Sequence, residues 1–410
     1  MARTVAELPK GSRITDYISL GVLNKMIPRR AVDAALEASN RQSIRQRDLP
    51  AHVMVYYVIA LALYMQSSYR EVLRCLLEGL QWLSDPSARP RVVGKSGISQ
   101  ARTRLGAAPL QALHDAVVRP VGRASEPGCG YRRWHLVSID GSGLDVADEH
   151  DNAAAFGRPG ASRGASAFPQ IRFVSLVENG TYVLFGSRMA GCAVGEQRLA
   201  HDVVPALSAG MLCLADRNFF SYPLWNQARA SGADLLWRIK KNLRLPRETP
   251  LADGSYLSRI YSTQRDRRHQ RGGVHVRVIE YQLSGVADAE PLYRLLTTVL
   301  DADDAPALEL AALYHERWEI ETALDELKTH LRGARIVLRS KTPELVRQEF
   351  WGLMLAHYAI RALMHEAAQQ RGDDPDRLSY VHAVRVIRRD IITHGAVPPS
   401  TASQVPPTGA

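Results

Sequence analysis

Two aspartates stand where a carboxylate is held rigidly and still meets solvent. Asp140 ends the apolar run Trp134 to Ile139, and Asp216 ends the run Met211 to Ala215. Each run reads as a core strand. A strand fixes the backbone while the side chain beyond it reaches out, which suits coordination of a hard divalent cation. A single aspartate after a strand is more often just a turn former or helix cap, so the pair needs a third member. The segment Leu308 to Leu331 reads as a helix and carries Tyr314, Arg317, Glu321 and Lys328. At about 100° per residue these four share a wedge of about 60°. One acid, two bases and a phenol on one face fit a site for a metal ion and a phosphate backbone. A solvated face with an Arg317 to Glu321 pair fits the spacing equally well. Trp318, next on the helix, either stacks on an unpaired base or packs in the core. Asp145, Asp148, Glu316, Glu319, Asp325 and Glu326 are neighbouring acids that could take the third place, Asp325 lying near the Glu321 face.

The elements that must position these residues change texture along the chain. Residues 1–125 read as helical: Ala31 to Ala38 and Pro50 to Leu83 have helix-period apolar positions, with a turn at Ser67-Ser68 and a loop at Asp85 to Gly97. A short helix, Ile98 to Gly106, brings Arg102 and Arg104 near its end, where they could lie on phosphates. The Gly- and Pro-rich stretch Glu126 to Arg133 marks a boundary. Residues 126–243 alternate strands and helices, with a hairpin signal at Glu178-Asn179-Gly180-Thr181, and predict a mixed α/β sheet. Residues 244–304 read as an all-β piece, residues 305–395 as long helices, and residues 396–410 as a disordered tail.

Composition excludes several classes. The chain has 410 residues, 46% hydrophobic and 23% charged, enough for a large core and more than one domain. Its four cysteines lie far apart with no Cys-x-x-Cys pair, so neither a zinc ribbon nor a disulfide framework is expected. No signal peptide or membrane span is legible; the longest apolar run, Val53 to Met65, is too short to cross a bilayer. A cytoplasmic protein with no membrane partner is the expectation. The formal net charge is +10, and the first 125 residues carry 18 Lys and Arg against 9 Asp and Glu, while the rest carry 34 against 33. A basic segment on a neutral body points to a polyanion-binding domain joined to something else. Val93-Gly94-Lys95-Ser96 lacks the glycine a phosphate-binding loop needs, Arg89 standing in its place. His382-Ala383-Val384-Arg385 has no following tyrosine nucleophile, which removes a tyrosine recombinase.

The spaced residues resemble a known family. Tyr314, Arg317, Glu321 and Lys328 resemble the Y-R-E-K signature of insertion element 4 family transposases, bacterial DDE enzymes. Ile139-Asp140-Gly141-Ser142 is similar to that family's first Asp motif, and Ala215-Asp216-Arg217-Asn218-Phe219 to its second, with Asn218 where many relatives have glycine. Phe156-Gly157-Arg158-Pro159-Gly160 through Arg172 is similar to the linker and second strand. Arg47-Asp48-Leu49-Pro50, Tyr69-Arg70-Glu71-Val72-Leu73 and Ile98 to Gly106 resemble the amino-terminal domain, so the likeness runs from about residue 15 to 370. It implies a ribonuclease H-like mixed sheet core with an all-β insertion, preceded by an α-helical N-terminal domain. It also implies catalytic, metal-holding Asp140, Asp216 and Glu321 with two Mg2+ ions, Mn2+ being a possible substitute. DNA contacts would come from Tyr314, Arg317, Lys328, Trp318, Arg102 and Arg104. The partners implied are double-stranded DNA, as transposon ends and target, and a second copy when two ends are paired, in a bacterial cytoplasm near the nucleoid. Two alternatives stay open: a metal-dependent nuclease of the same fold, and a non-catalytic DNA-binding protein derived from a transposase.

Overall fold

The computed structural model describes residues 23, 25–43, 49–84, 93–161, 164–283, 290–333 and 336–393. The predicted tail, 396–410, and the motif residues Arg47 and Asp48 lie outside them. The chain forms two compact units. One holds the N-terminal residues to Ala116 together with Arg347–Ile360 and the residues from Tyr380 onward. The other holds Val117–Val346 with Arg361–Ser379.

In the first unit, helices α1 (Arg29–Ala38), α2 (Ala51–Leu63), α3 (Tyr69–Ser84), α4 (Lys95–Leu105) and α5 (Ala108–Val117) follow one another. The turn at Ser67-Ser68 falls between α2 and α3 as expected. Helix α2 is buried from Val53 to Leu63, because a helix apolar all round has no face to give to water. Gly352 lets a later helix meet it closely: a Cβ there would lie 2.8 Å from Val58 Cγ1 and from its carbonyl oxygen.

The second unit is built on a ten-stranded sheet. Its long strands are β1 (Trp134–Asp145), β2 (Gln170–Glu178), β3 (Leu184–Gly191), β4 (Met211–Ala215), β5 (Asp234–Arg238), β6 (Tyr256–Ile260), β7 (Val274–Tyr281) and β8 (Tyr293–Thr297). They lie in the order β3-β2-β1-β4-β5-β8-β7-β6, with Thr249–Pro250 beyond β6 and Gly130–Tyr131 against β1. The meander β1-β2-β3 is antiparallel, while β4 and β5 run parallel to β1. Helix α6 (His150–Phe156) follows β1; helix α7 (Glu196–Val203) links β3 to β4, and α8 (Tyr222–Ala230) links β4 to β5. This is the ribonuclease H-like mixed sheet expected from the sequence. The β insertion is present but not all-β, since it holds a short helix, α9 (Gln264–Arg268), and it extends that same sheet: β8 pairs antiparallel with β5. Pairing covers an edge that would otherwise leave a row of open backbone groups.

Residues two apart along a strand share a face. Trp134 and Leu136 of β1, Leu212 and Leu214 of β4, and Leu236 of β5 form one apolar floor with Leu310, Leu313 and Tyr314. The segment carrying those last three is helical from Ala307 to Leu331, but not uniformly so. It runs as α10 (Ala307–His315), a 3₁₀ turn (Glu316–Trp318), α11 (Glu319–Asp325) and a π-helical stretch (Glu326–Leu331). A single rotation per residue therefore does not describe it, since 3₁₀ turns are tighter than α and π turns wider. Lys328 reaches its place through the π stretch, which buries Glu326 against Arg361.

Candidate functional site

Asp140 and Asp216 continue the two apolar rows that lie under this helix. The parallel pairing of β1 and β4 ends at Ile139 opposite Ala215, so the residue after each is an aspartate, and the two follow neighbouring strands that lie about 5 Å apart where they pair. Asp216 follows its strand directly, as expected. Asp140 does not: β1 continues to Asp145, paired with β2, because β2 supplies a partner after β4 has ended. The Asp140 carboxylate accepts a hydrogen bond from the Gly141 N–H at 2.8 Å and an ion pair from Arg317 at 3.4 Å. Burial, reinforced by the nearby charges of Glu196 and Asp216, pushes it up to about 6 against the pull of Gly141 and Arg317.

Four residues of the sequence signature fall into different environments. Arg317 is largely buried and lies on Asp140; Lys328 Nζ donates to Ser142 Oγ at 3.0 Å. Asp140 and Ser142 are two apart on β1, so the two bases grip one face of one strand, and Glu321 falls between them in sequence. Glu321 is exposed, with no hydrogen-bond or ion-pair partner among the described residues. Tyr314 is buried, with its hydroxyl 3.4 Å from the Ala215 carbonyl oxygen it donates to. Burial raises its pKa. Its apolar ring completes the floor of the core, so its phenol is turned to the strand that carries Asp216 and not outward to a phosphate. Trp318 is 59% exposed, which decides between core packing and a surface role in favour of the surface.

Three of the neighbouring acids are engaged elsewhere. Glu326 pairs with Arg361, Glu319 accepts the Gly180 N–H at 2.7 Å, and Asp325 binds the Thr329 hydroxyl at 2.5 Å. Arg102, expected on phosphates, is buried: its Nε donates to Gln348 Oε1 at 2.7 Å and its guanidinium lies 5.5 Å from the Tyr69 ring centroid. Held inside by these partners, the residue serves packing; Arg104, two positions on, is exposed. Asn218 lies in the turn closed by the Phe219 N–H on the Asp216 carbonyl at 3.0 Å and is not among the residues with positive φ. That turn has no need of glycine.

Sequence reasoning missed Glu196. It opens α7, and its side chain lies on Gly141: a Cβ there would stand 2.7 Å from Glu196 Cγ and 2.9 Å from Oε1. A glycine beside an aspartate, and an acid at the start of the helix after the third strand, were the signals available. Among the described residues no three His, Cys, Asp or Glu side chains gather closely enough to enclose a metal ion, and Glu321 is exposed. The donor set nevertheless fits a hard cation. Asp140, Glu196, Asp216 and Glu321 offer only carboxylate oxygens, and the charges of Glu196 and Asp216 that raise the Asp140 carboxyl are what a cation there would relieve.

The mixed sheet, with two aspartates on neighbouring strands, is that of a ribonuclease H-like protein. The comparisons with known proteins give the family. Residues 17–115 match the insertion element 4 transposase N-terminal family, and residues 135–359 match the Transposase DDE domain. The chain is 29% identical over 380 residues to the transposase InsG for insertion sequence element IS4 of Escherichia coli (strain K12), covering 90% of this chain and 82% of that one. It is 23% identical over 214 residues to the putative transposase InsZ of the same organism, covering 52% and 69%. A solved piggyBac transposase synaptic complex with hairpin DNA aligns over 93% of this chain and 80% of its own, at 11% identity and a TM-score of 0.45. The chain belongs to the insertion element 4 family of DDE transposases. Among the described residues no helix is long and apolar enough to cross a membrane.

Proposed function

We propose that this transposase cuts DNA at the ends of its element and joins the freed 3′ ends to target DNA, in a metal-dependent reaction. The observation that carries this reading is the pair Asp140 and Asp216 on adjacent parallel strands, with Arg317 and Lys328 of the overlying helix reaching Asp140 and Ser142. Asp140, Asp216 and Glu321 are the residues that would hold Mg2+, or Mn2+ in its place. When bound, a divalent ion pair supplies an activated oxygen nucleophile and neutralises the leaving 3′ oxygen.

The chain's own residues do the rest. Tyr314 fixes the backbone at Ala215 and so the direction of Asp216. Arg317 balances Asp140 in the free protein and, once that carboxylate is neutralised, offers its guanidinium to a scissile phosphate. Lys328 is a second, point-like phosphate contact. Trp318 presents an open ring on which a base can stack. Arg104 contributes to binding of the element's ends, which a dimer brings together.

The test is cleavage and strand transfer on labelled element ends with Mg2+. Glu321→Gln should abolish cleavage while end binding by mobility shift is unchanged, whereas Asp325→Asn should cut normally. The reverse result would show that the third acid is Asp325. Joined product from pre-cleaved ends supports a transposase reaction; hydrolysis alone supports a nuclease of the same fold.

A further inference from the structure

Three residues that share one face of β1, Ser138, Asp140 and Ser142, are each tied to the segment that carries the signature. Lys328 donates to Ser142, and Arg317 pairs with Asp140. The third tie is indirect and uses no signature residue. Ser138 Oγ donates to Asn179 Oδ1 at 2.9 Å, and Asn179 Nδ2 donates to the Glu316 carbonyl oxygen at 3.3 Å. A carbonyl oxygen can only accept, so the amide stands with its nitrogen toward the helix and its oxygen toward the strand. Asn179 is fully buried, and its own N–H donates to the Leu136 carbonyl of β1 at 3.1 Å.

The residue lies at the tip of the hairpin that joins β2 to β3, and its neighbours anchor that tip. Glu178, also buried, accepts the Val121 and Gly122 N–H groups at 2.8 and 2.9 Å and pairs with His135 at 2.7 Å. Gly180 has a φ of +78° and donates its N–H to Glu319 at 2.7 Å. The hairpin therefore grips the helical segment at Glu316 and at Glu319, the two residues that flank Arg317 and Trp318.

Arg317 has little else to fix it. Its ion pair with Asp140 is 3.4 Å long, and its Nε is buried without a hydrogen-bond partner among the described residues. The Tyr314 and Trp318 ring centroids lie 6.0 and 5.9 Å from the guanidinium. The backbone of the 3₁₀ turn is what aims this side chain. We propose that Asn179 is a positioning residue for Arg317. By holding the Glu316 carbonyl against β1, it keeps the 3₁₀ turn over Asp140 when the guanidinium leaves that carboxylate for a phosphate. The proposal rests on the DNA-cutting reading above and adds to it a residue outside the signature.

The test has two arms. In hydrogen exchange of the free full chain in EDTA, Asn179→Ala should speed exchange in peptides covering Glu316 to Asp325 roughly threefold to tenfold, the factor one hydrogen bond is worth, with peptides of β4 unchanged. In single-turnover cleavage of labelled element ends with Mg2+, the same variant should cut roughly tenfold to a hundredfold more slowly, the scale of a misplaced catalytic contact, with end binding unchanged. A general folding defect adds to any other lesion, whereas an effect that acts through Arg317 does not. In an Arg317→Lys background, Asn179→Ala should therefore slow cutting by less than about threefold. Ser138→Ala removes the hydroxyl that orients the amide and carries both arms if Asn179→Ala fails to fold by thermal melting. Unchanged exchange at Glu316 to Asp325, cutting at the wild-type rate, or an equal loss in both Arg317 backgrounds overturns the proposal. A wild-type protein that does not cut overturns the DNA-cutting reading instead, and the exchange arm, which needs neither metal nor DNA, still decides whether Asn179 holds the turn.

Discussion

Gly141 sets the spacing between two carboxylates. With no side chain of its own it lets Glu196 lie beside the strand that carries Asp140, and its N–H is one of the groups holding Asp140 in place. A Cβ added at Gly141 meets only the far end of a flexible glutamate, so Gly141→Ala should cost little stability while turning Glu196 away. Glu196→Gln removes the same charge directly. Both substitutions should lower Mg2+-dependent cleavage by roughly tenfold to a hundredfold, the range for groups that support metal ligands, with melting temperatures within a few degrees of wild type. If either variant cuts DNA at the wild-type rate, Glu196 is a bystander. The two aspartates were legible because each closes an apolar run. Glu196 was not, because its neighbour is made by a fold contact between α7 and β1 that no local spacing records. Arg102 and Tyr314 were misjudged for a related reason: a long polar-tipped side chain on an amphipathic helix can snorkel outward or turn inward to a partner, and only packing decides.

At the scale of elements, periodicity revealed most strands and helices of the sheet-bearing unit, including the run of β-type segments after Arg244. It did not reveal that β8 would pair with β5, since strand order is set by long-range contacts, nor that the signature helix would pass through 3₁₀ and π turns. The join between insertion and helix is made by Arg277 of β7. This buried guanidinium pairs with Asp253, donates to the Ala305 carbonyl at 2.7 Å, and shares Asp253 with the Ala307 N–H at the start of α10, 2.8 Å away. Asp253→Asn would leave that cation uncompensated and should cost about 3 kcal/mol in urea unfolding. Burial pushes the Asp253 carboxyl up, but its hydrogen bonds from Ser255 and Ala307 and the charge of Arg277 outweigh this and hold it below its ordinary value. A carboxyl lowered in the folded state contributes stability above its unfolded pKa and loses it as pH falls through the folded one. The gap between wild type and Asp253→Asn should therefore be constant from neutral pH to about pH 4 and shrink below it; a gap that grows on acidification would contradict the pairing.

For the molecule as a whole, the distribution of charge predicts that holding DNA and cutting it are separable. The first 125 residues, 18 Lys and Arg against 9 Asp and Glu, hold nearly all of a formal net charge of +10. Affinity that comes from basic groups on phosphates falls with salt by about 0.9 logarithmic units per phosphate for each tenfold rise. Such binding has no need of a divalent ion, so the full chain should shift end-sequence DNA equally well in EDTA and in Mg2+, with cleavage confined to Mg2+. Within the basic segment, burial assigns the arginines different work. Arg104 is exposed on α4; losing it should weaken binding to any DNA sequence alike and reduce the salt slope by about one. Arg102 has its guanidinium inside, on Gln348, and Arg102→Ala should leave the salt slope unchanged while lowering stability by about 1–3 kcal/mol, the cost of stranding a buried acceptor. Measured as anisotropy from 50 to 200 mM salt with urea melts alongside, equal slopes for wild type and Arg104→Ala would remove α4 from the DNA contact. A reduced slope in Arg102→Ala would mean that its buried side chain turns outward when DNA binds.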